Sequence, residues 1–554
     1  VAEDKLEDAK VFNPETDKMS LDPRVRRHVL PARIVWQTEG DAAPEHPEAL
    51  LADGAGACML RNKGQAPGIL VDFGRELHGG VLIENGITPI HGPTRVRVRF
   101  GESVSEAMGQ PNQDHAIHDY TCDVPWYGVQ EVGSTGFRFV RIDLLEPGSE
   151  LQLKRLRAVF LYRPDEYIGS FNCNDERLNR IWDTGAYTVH LCMQERLWDG
   201  IKRDRLVWIG DMHPETMTIA SVFGAHPIVP KSLDFVRDET PLPNWMNGIG
   251  SYSMWWILIQ HAWYLHHGDE AYLEDQRKYL LGLLEQLRGQ IDENGSEKLG
   301  GARFLDWPSS EDPKAIHAGL QALLAMALRA GAELCHALNE TDAQNEAMAA
   351  ANALQAHSPD VGTSKQANAL MSLAGLADAV KTNREVLAVD PLKGVSTFYG
   401  YYVLQARALA GDYAGCLDVI RNYWGAMLDF GATTFWEDFD LAWTENAGRI
   451  DELVPEGKKD IHADYGNYCY KGLRHSLCHG WASGPTSWLT EHVLGFKPLE
   501  PGCRALRVDP HLADLQFAEG TFPTPAGVVR VRHEQGPAGV QSKIDAPEGI
   551  RIVR

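Results

Sequence analysis

The 554 residues contain no Cys-x-x-Cys pair, no His-Glu-x-x-His signature and no lysine- or arginine-rich stripe. The nine cysteines are scattered from Cys58 to Cys503. With an odd count and no metal-ligand spacing, they read as buried thiols acting as small hydrophobes. No run of eighteen apolar residues is present, so no segment qualifies as a membrane-spanning helix. Basic residues are also scarce: 53 Lys and Arg stand against 76 Asp and Glu, a formal net charge of −23. Such a surface repels phosphate backbones, which excludes nucleic acid as a partner. An initiator Met is missing, and the chain opens on Val1. That raises the expectation of a removed N-terminal segment. A periplasmic or secreted location is favoured, with a cytoplasmic one still open.

What is present describes a fully folded protein of two to four domains, 44% hydrophobic and 23% charged. Residues 1–165 read as β structure, an antiparallel sandwich punctuated by Pro and Gly. Arg95–Phe100 and Phe137–Asp143 alternate in period two, whereas Gly68–Gly74 is nearly continuous, as in a strand covered on both faces. The texture changes near residue 170. Asn174-Asp-Glu is a helix start, followed by Leu178, Ile181, Trp182, Val189 and Cys192 at helical spacing. Helical runs recur through 211–224, 252–267, 270–291, 313–338, 341–356, 364–380, 397–410, 413–428 and 479–494. Periodicity alone establishes an all-α array of helical hairpins over 166–497. Strand patterns return in 498–554, a segment small for an independent core. It is expected to pack on the helices or to join the N-terminal β layer.

Two clusters carry chemistry. Trp-Asp-Gly-Ile-Lys-Arg-Asp-Arg-Leu-Val-Trp-Ile-Gly-Asp, residues 198–211, sets Asp199, Asp204 and Asp211 among Lys202, Arg203 and Arg205, between two tryptophans. Carboxylates, a guanidinium fork and flat apolar faces are the parts that a sugar-cleaving site needs. Gly-Ala-Thr-Thr-Phe-Trp-Glu-Asp-Phe-Asp, residues 431–440, places Glu437 and Asp438 directly after Trp436. Burial beside tryptophan raises a carboxyl's pKa, while neighbouring donors keep it charged. Two carboxyls in contrasting environments are what glycoside hydrolysis requires.

In these motifs the chain resembles the α-L-rhamnosidases of glycoside hydrolase family 78. Their Asp-x-x-x-Arg-(Glu/Asp)-Arg-Leu-x-Trp-x-Gly-Asp segment matches Asp199–Asp211, and Thr-x-Trp-Glu matches Thr434–Glu437. Leu305-Asp306-Trp307 and Ser476-Leu477-Cys478-His479-Gly480-Trp481 add further matches. The resemblance covers roughly residues 165–530. It implies a multidomain fold: an N-terminal β-sandwich, an (α/α)6 toroid catalytic domain and a short C-terminal β-domain. It also implies an exo-acting, inverting hydrolase of terminal α-L-rhamnosides. Asp204 stands where the family commonly has a Glu as general acid, one carbon–carbon bond shorter, and Glu215 is the spare candidate.

In that implied scheme Asp204 is the acid and Glu437 the base. Asp199 and Asp211 bind hydroxyls as ionised acceptors, and Arg203 holds a hydroxyl or lowers a neighbouring carboxyl's pKa. Trp208, Trp256, Trp307 and Trp436 wall the C6 methyl, beside Asp306, and His479 donates to a hydroxyl or orients Glu437. No metal or organic cofactor is implied, and a structural Ca²⁺ stays open. Two other readings also stay open: a toroidal hydrolase of another deoxy or acidic sugar, and a noncatalytic carbohydrate-binding homologue. The Asp at 204 motivates the second.

Overall fold

The computed structural model describes residues 22–110, 118–468, 470–537 and 539–554. Val1, the first part of the N-terminal β segment and Cys469 lie outside them. The described N-terminal strands are hydrogen-bonded into one eight-stranded sheet. Its antiparallel path runs Val25–Val29, Glu150–Tyr162, Gly68–Asn85, Val129–Leu144, Thr94–Gly101, Asp119–Val124; Arg33–Gln37 and Cys58–Arg61 pair off this path. Gly68–Asn85 is 18 residues long and buried on both faces through its first six residues, as its nearly continuous apolar run predicts. Register shifts between Asp72 and Leu77, and between Gly79 and Val81, bend it. Such bulges let a long strand curve, so one sheet can enclose Val71, Val98, Phe100, Phe137, Val140 and Ile142.

Six helices then close a ring. Met212–Val222 packs on Gly250–His267, which packs on Pro313–Ala337; next come Lys365–Leu373, Gly400–Leu409 and Gly484–Trp488, which returns to Met212–Val222. Composition sorts inner helices from outer ones. Pro313–Ala337 is apolar nearly all round and mostly buried, whereas Thr341–Ala353 buries only Ala347 and Ala351. Contrary to the expectation that no segment qualifies, Pro313–Ala337 is by length and composition apolar enough to cross a membrane, because its few polar residues are spread along an otherwise apolar helix; 83% of its most apolar window is buried inside the fold. One outer helix, Ile228–Glu239, escapes the sequence pattern because Pro230 sits in its first turn, where proline is tolerated but reads as a break.

The C-terminal strands do not join the N-terminal sheet. Phe517–Thr524 pairs with Ser170–Cys173, the strand just before the first large helix. Phe496, Leu506, Phe522 and Val531 share the helical core. The N-terminal sheet instead clasps the loops at one end of the ring. Arg138 Nη1 donates to Gly431 O (2.9 Å), Gly136 N to Ile201 O (2.8 Å) and Tyr187 OH to Glu76 O (2.6 Å).

Gly136 is where sheet and loop come closest. A Cβ there would lie 2.7 Å from Ile201 Cγ1 and 3.1 Å from the Ile201 carbonyl carbon. Overpacking a well-filled contact costs about 1–3 kcal/mol, so Gly136→Ala is expected to lower stability by that amount in urea unfolding. An unchanged midpoint would contradict the close approach.

Candidate active site

The two sequence clusters meet at this end of the ring, around a cavity of ≈ 470 Å³. Asp199, Arg203, Asp204, Trp208, Asp211, Trp307, Glu437 and His479 line it. The loop bearing the acid candidate is anchored by backbone bonds: Asp199 N donates to Leu206 O (3.0 Å), and Gly480 N donates to Asp199 O (2.8 Å). Asp204 and Arg205 both take left-handed backbone angles, φ 54° each. Aspartate enters that region more readily than longer side chains because its short carboxyl bonds locally. The Asp204 side chain remains 31% exposed.

Glu437 occupies the opposite environment and is 2% exposed. Its carbonyl accepts from Thr397 Oγ1 (2.7 Å) and Trp481 Nε1 (2.9 Å), which fixes the backbone. Its Oε2 accepts from Arg203 Nη2 and from Ser476 N (3.2 Å). His479 Nε2 lies 3.4 Å from Oε1. Burial pushes this carboxyl above the usual range, while Arg203 and the Ser476 N–H pull it back. Arg203 also reaches Asp204, with Nη1 3.4 Å from Oδ1, so one guanidinium faces both carboxyls. Arg474 O accepts from its Nε (3.0 Å), and the Tyr470 ring lies 4.9 Å beneath it.

Asp199 and Asp211 flank His479, with oxygens 3.7 and 3.8 Å from Nε2. Burial raises both carboxyls well above their ordinary range. Asp211 adds to the effect on Asp199, and Glu437 to that on Asp211. Leu206 N donates to Asp199 (2.9 Å) and Tyr252 OH to Asp211 (3.3 Å), and these bonds pull the other way. Burial drives the His479 imidazole well below its normal pKa, with Arg203 reinforcing it.

Three expected site residues lie elsewhere. Trp256 is fully buried in the helical core, its Nε1 donating to Leu233 O (3.4 Å) and its ring edge-on to Tyr279. Trp436 is 1% exposed and packs on Phe439 and His475, behind the cavity wall. Residues adjacent in an extended segment point to opposite sides, so Glu437 faces the cavity and Trp436 does not. Asp306 braces its own loop, accepting from Ser309 N (3.2 Å), Ser309 Oγ and Ser396 Oγ (3.1 Å). Glu215 does not line the cavity either. It is wholly buried against Gly480, where a Cβ would fall 1.6 Å from its Oε1. The walls not singled out from the sequence motifs are Ile249, Tyr252, Ala302, Arg303, Phe304, Tyr470, Arg474 and Trp481. Trp481 ends a quoted motif and could have been found there. Among the described residues, no group of three or more His, Cys, Asp or Glu is placed to hold a metal ion.

Removing Arg203 would leave Glu437 buried without its cation, at a cost of about 3–5 kcal/mol. In Arg203→Met the Glu437 pKa rises in the folded state, so the folded form binds the extra proton. The deficit is therefore largest at high pH and shrinks as pH falls below the folded pKa. Urea unfolding at pH 8 and pH 5 should show this difference. A deficit independent of pH would show that the lost energy is packing.

Known proteins bear out the likeness. The model of the bacterial alpha-L-rhamnosidase six-hairpin glycosidase domain matches residues 166–361. An alpha-L-rhamnosidase of Alteromonas sp. (strain LOR) is 23% identical over 536 residues, covering 87% of this chain and 55% of that one. The crystal structure of a GH78 family rhamnosidase of Bacillus sp. GL1 superposes with a TM-score of 0.76 at 23% identity, covering 91% of this chain and 55% of that one. A rhamnosidase from Klebsiella oxytoca gives 0.66 at 18% identity, covering 85% of this chain and 96% of that one. The chain thus spans just over half the length of the Alteromonas and Bacillus proteins. Residues 166–361 match the bacterial alpha-L-rhamnosidase six-hairpin glycosidase domain, and the chain as a whole is similar in fold to GH78 family rhamnosidases.

Proposed function

We propose that the chain is an exo-acting α-L-rhamnosidase that works by inversion. In this reading residues 1–165 form the accessory β-domain, 166–497 an (α/α)6 toroid and 498–554 a C-terminal β segment. The observation that carries the reading is the single guanidinium of Arg203, set against a solvent-facing Asp204 and a buried Glu437. An acid must exchange its proton with solvent between turnovers, and the partly exposed Asp204 can. A base must be ionised and held still, and the Arg203 and Ser476 donors serve both needs. Asp204 protonates the glycosidic oxygen as the bond to the anomeric carbon breaks. Water attacks the opposite face and gives its proton to Glu437. Inversion needs carboxyls about 6.5–9.5 Å apart, against about 5–5.5 Å for retention.

The cavity walls support a 6-deoxy sugar. Trp208, Ile249, Phe304, Trp307 and Trp481 offer apolar surface, suited to a methyl group. Trp307 is held by an Nε1 bond to Tyr470 OH (2.5 Å). The similar Klebsiella structure was solved with rhamnose bound, which supports the same sugar here. The proposed substrates are terminal α-L-rhamnosides of oligosaccharides, polysaccharide side chains or glycosides.

Kinetics on paired substrates test the roles. Asp204→Asn should lower kcat by about 10²–10⁴-fold on alkyl or sugar rhamnosides, and much less on activated aryl rhamnosides, which need little protonation. Glu437→Gln should abolish turnover on both while leaving rhamnose affinity within about an order of magnitude. Equal losses for Asp204→Asn on both substrates, or near-normal kcat for Glu437→Gln, would remove the assignments.

A further inference from the structure

Beneath the base lies a charged cluster that the two-carboxylate chemistry does not use. The turn after the strand Thr94–Gly101 belongs to the N-terminal sheet. It carries Glu102 and Ser103, and the short helix that follows, Val104–Met108, carries Glu106; none is more than 2% exposed. Lys202, from the loop that bears Asp204, enters this turn and is itself 1% exposed. Its ammonium lies 2.9 Å from Glu106 Oε1 and 3.6 Å from Glu102 Oε2. It also donates to the carbonyls of His475 (2.9 Å) and Leu473. Glu102 accepts from Leu477 N at 2.7 Å and from Ser476 Oγ at 3.4 Å. The Ser476 N–H then donates to Glu437.

A second line starts from the same turn. Ser103 Oγ and His462 Nδ1 are 2.7 Å apart, and His462 Nε2 reaches His475 O at 2.9 Å. His475 Nε2 accepts from Asp438 N, the residue after the base, at 2.9 Å. Two hydrogen-bonded lines thus run from one turn of the sheet to the segments beside Glu437. Burying these ions costs several kcal/mol each, and apolar residues of similar volume would often hold the interface as well or better. An apolar contact, however, could not aim a backbone N–H.

We infer that Glu102 is a positioning residue: from the N-terminal sheet it holds Ser476 and Leu477 so that the Ser476 N–H points at the Glu437 carboxyl. The inference rests on reading Glu437 as the base. It makes the sheet part of the catalytic unit rather than an accessory to it. Burial pushes the Glu102 carboxyl up to about 8, against the pull of Lys202. Carboxyl and amide oxygens alike accept from the Leu477 N–H, so an amide reproduces that bond. Reach matters here more than charge.

The test compares Glu102→Ala, Glu102→Gln and Glu102→Asp in the full chain, with kcat and KM on an aryl rhamnoside and thermal unfolding of each variant. Gln keeps the reach and loses the charge; Asp keeps the charge and draws back by about 1.5 Å. Misplacement of a catalytic group by about 1 Å costs up to about 10²-fold. The expected result is kcat lowered about 10–100-fold in Ala and Asp, KM within about twofold, and Gln within about threefold of the unaltered chain. Asp outperforming Gln, or wild-type kcat in folded Ala or Asp, would overturn the inference. If Ala fails to fold, the Asp–Gln contrast decides. Inactivity of the unaltered chain on every rhamnoside would instead defeat the functional reading itself.

Discussion

The contact between Arg203 and Glu437 is the one on which the rest of the site depends. A carboxyl 2% exposed cannot stay ionised without a cation and hydrogen-bond donors, because desolvation disfavours the charged form. Arg203 supplies the cation, and burial likewise works against its own charge until Glu437 restores it. Neither member is tolerable alone in this setting. The guanidinium is held in turn by Arg474 O and the Tyr470 ring. Its other end meets Asp204, on a turn with two successive left-handed residues. Such conformations cost about 1–3 kcal/mol each and persist only where the surroundings impose them. Here the imposing contacts include Arg205 Nη1 donating to Ser134 O (2.9 Å) in the N-terminal sheet.

The architecture follows from what those loops require. A closed ring of apolar helices buries its own backbone polar groups, but its connecting segments must find partners outside it. The 198–211, 431–440 and 473–481 segments find them in one another and in the sheet. Gly480 N bonds Asp199 O, Glu437 N bonds Ser476 O, and Leu477 N bonds Glu102. The sheet thereby completes the hydrogen bonding of irregular backbone that would otherwise be buried unsatisfied. This is a structural reason for a β-domain to be packed on this end of the ring.

Much of this was legible in residue order, and the gaps have physical causes. Helical periodicity marked most helices, because an inner helix is apolar all round and an outer one carries a clear stripe. It missed Ile228–Glu239, where Pro230 imitates a break. The motif at 198–211 gathered Asp199, Arg203, Asp204, Trp208 and Asp211 in one loop, and all five line the cavity. Tryptophans were harder: Trp256 and Trp436 are core, since composition cannot say which side of a segment is wet. Tyr252 and Tyr470 come from a helix and an irregular stretch with no motif of their own. The Glu102–Lys202 contact joins residues a hundred positions apart, and no local pattern encodes it.

The central claim is that Asp204 and Glu437 have separate roles in a single displacement, divided by Arg203. Proton NMR in the first moments of hydrolysis tests it most directly, because it reads the stereochemistry rather than the importance of either residue. Inversion predicts that β-L-rhamnose appears first and that the α-anomer grows in only by mutarotation. First appearance of α-L-rhamnose would mean a glycosyl-enzyme intermediate and carboxyls at the shorter separation, and it would contradict the account even if both residues proved essential.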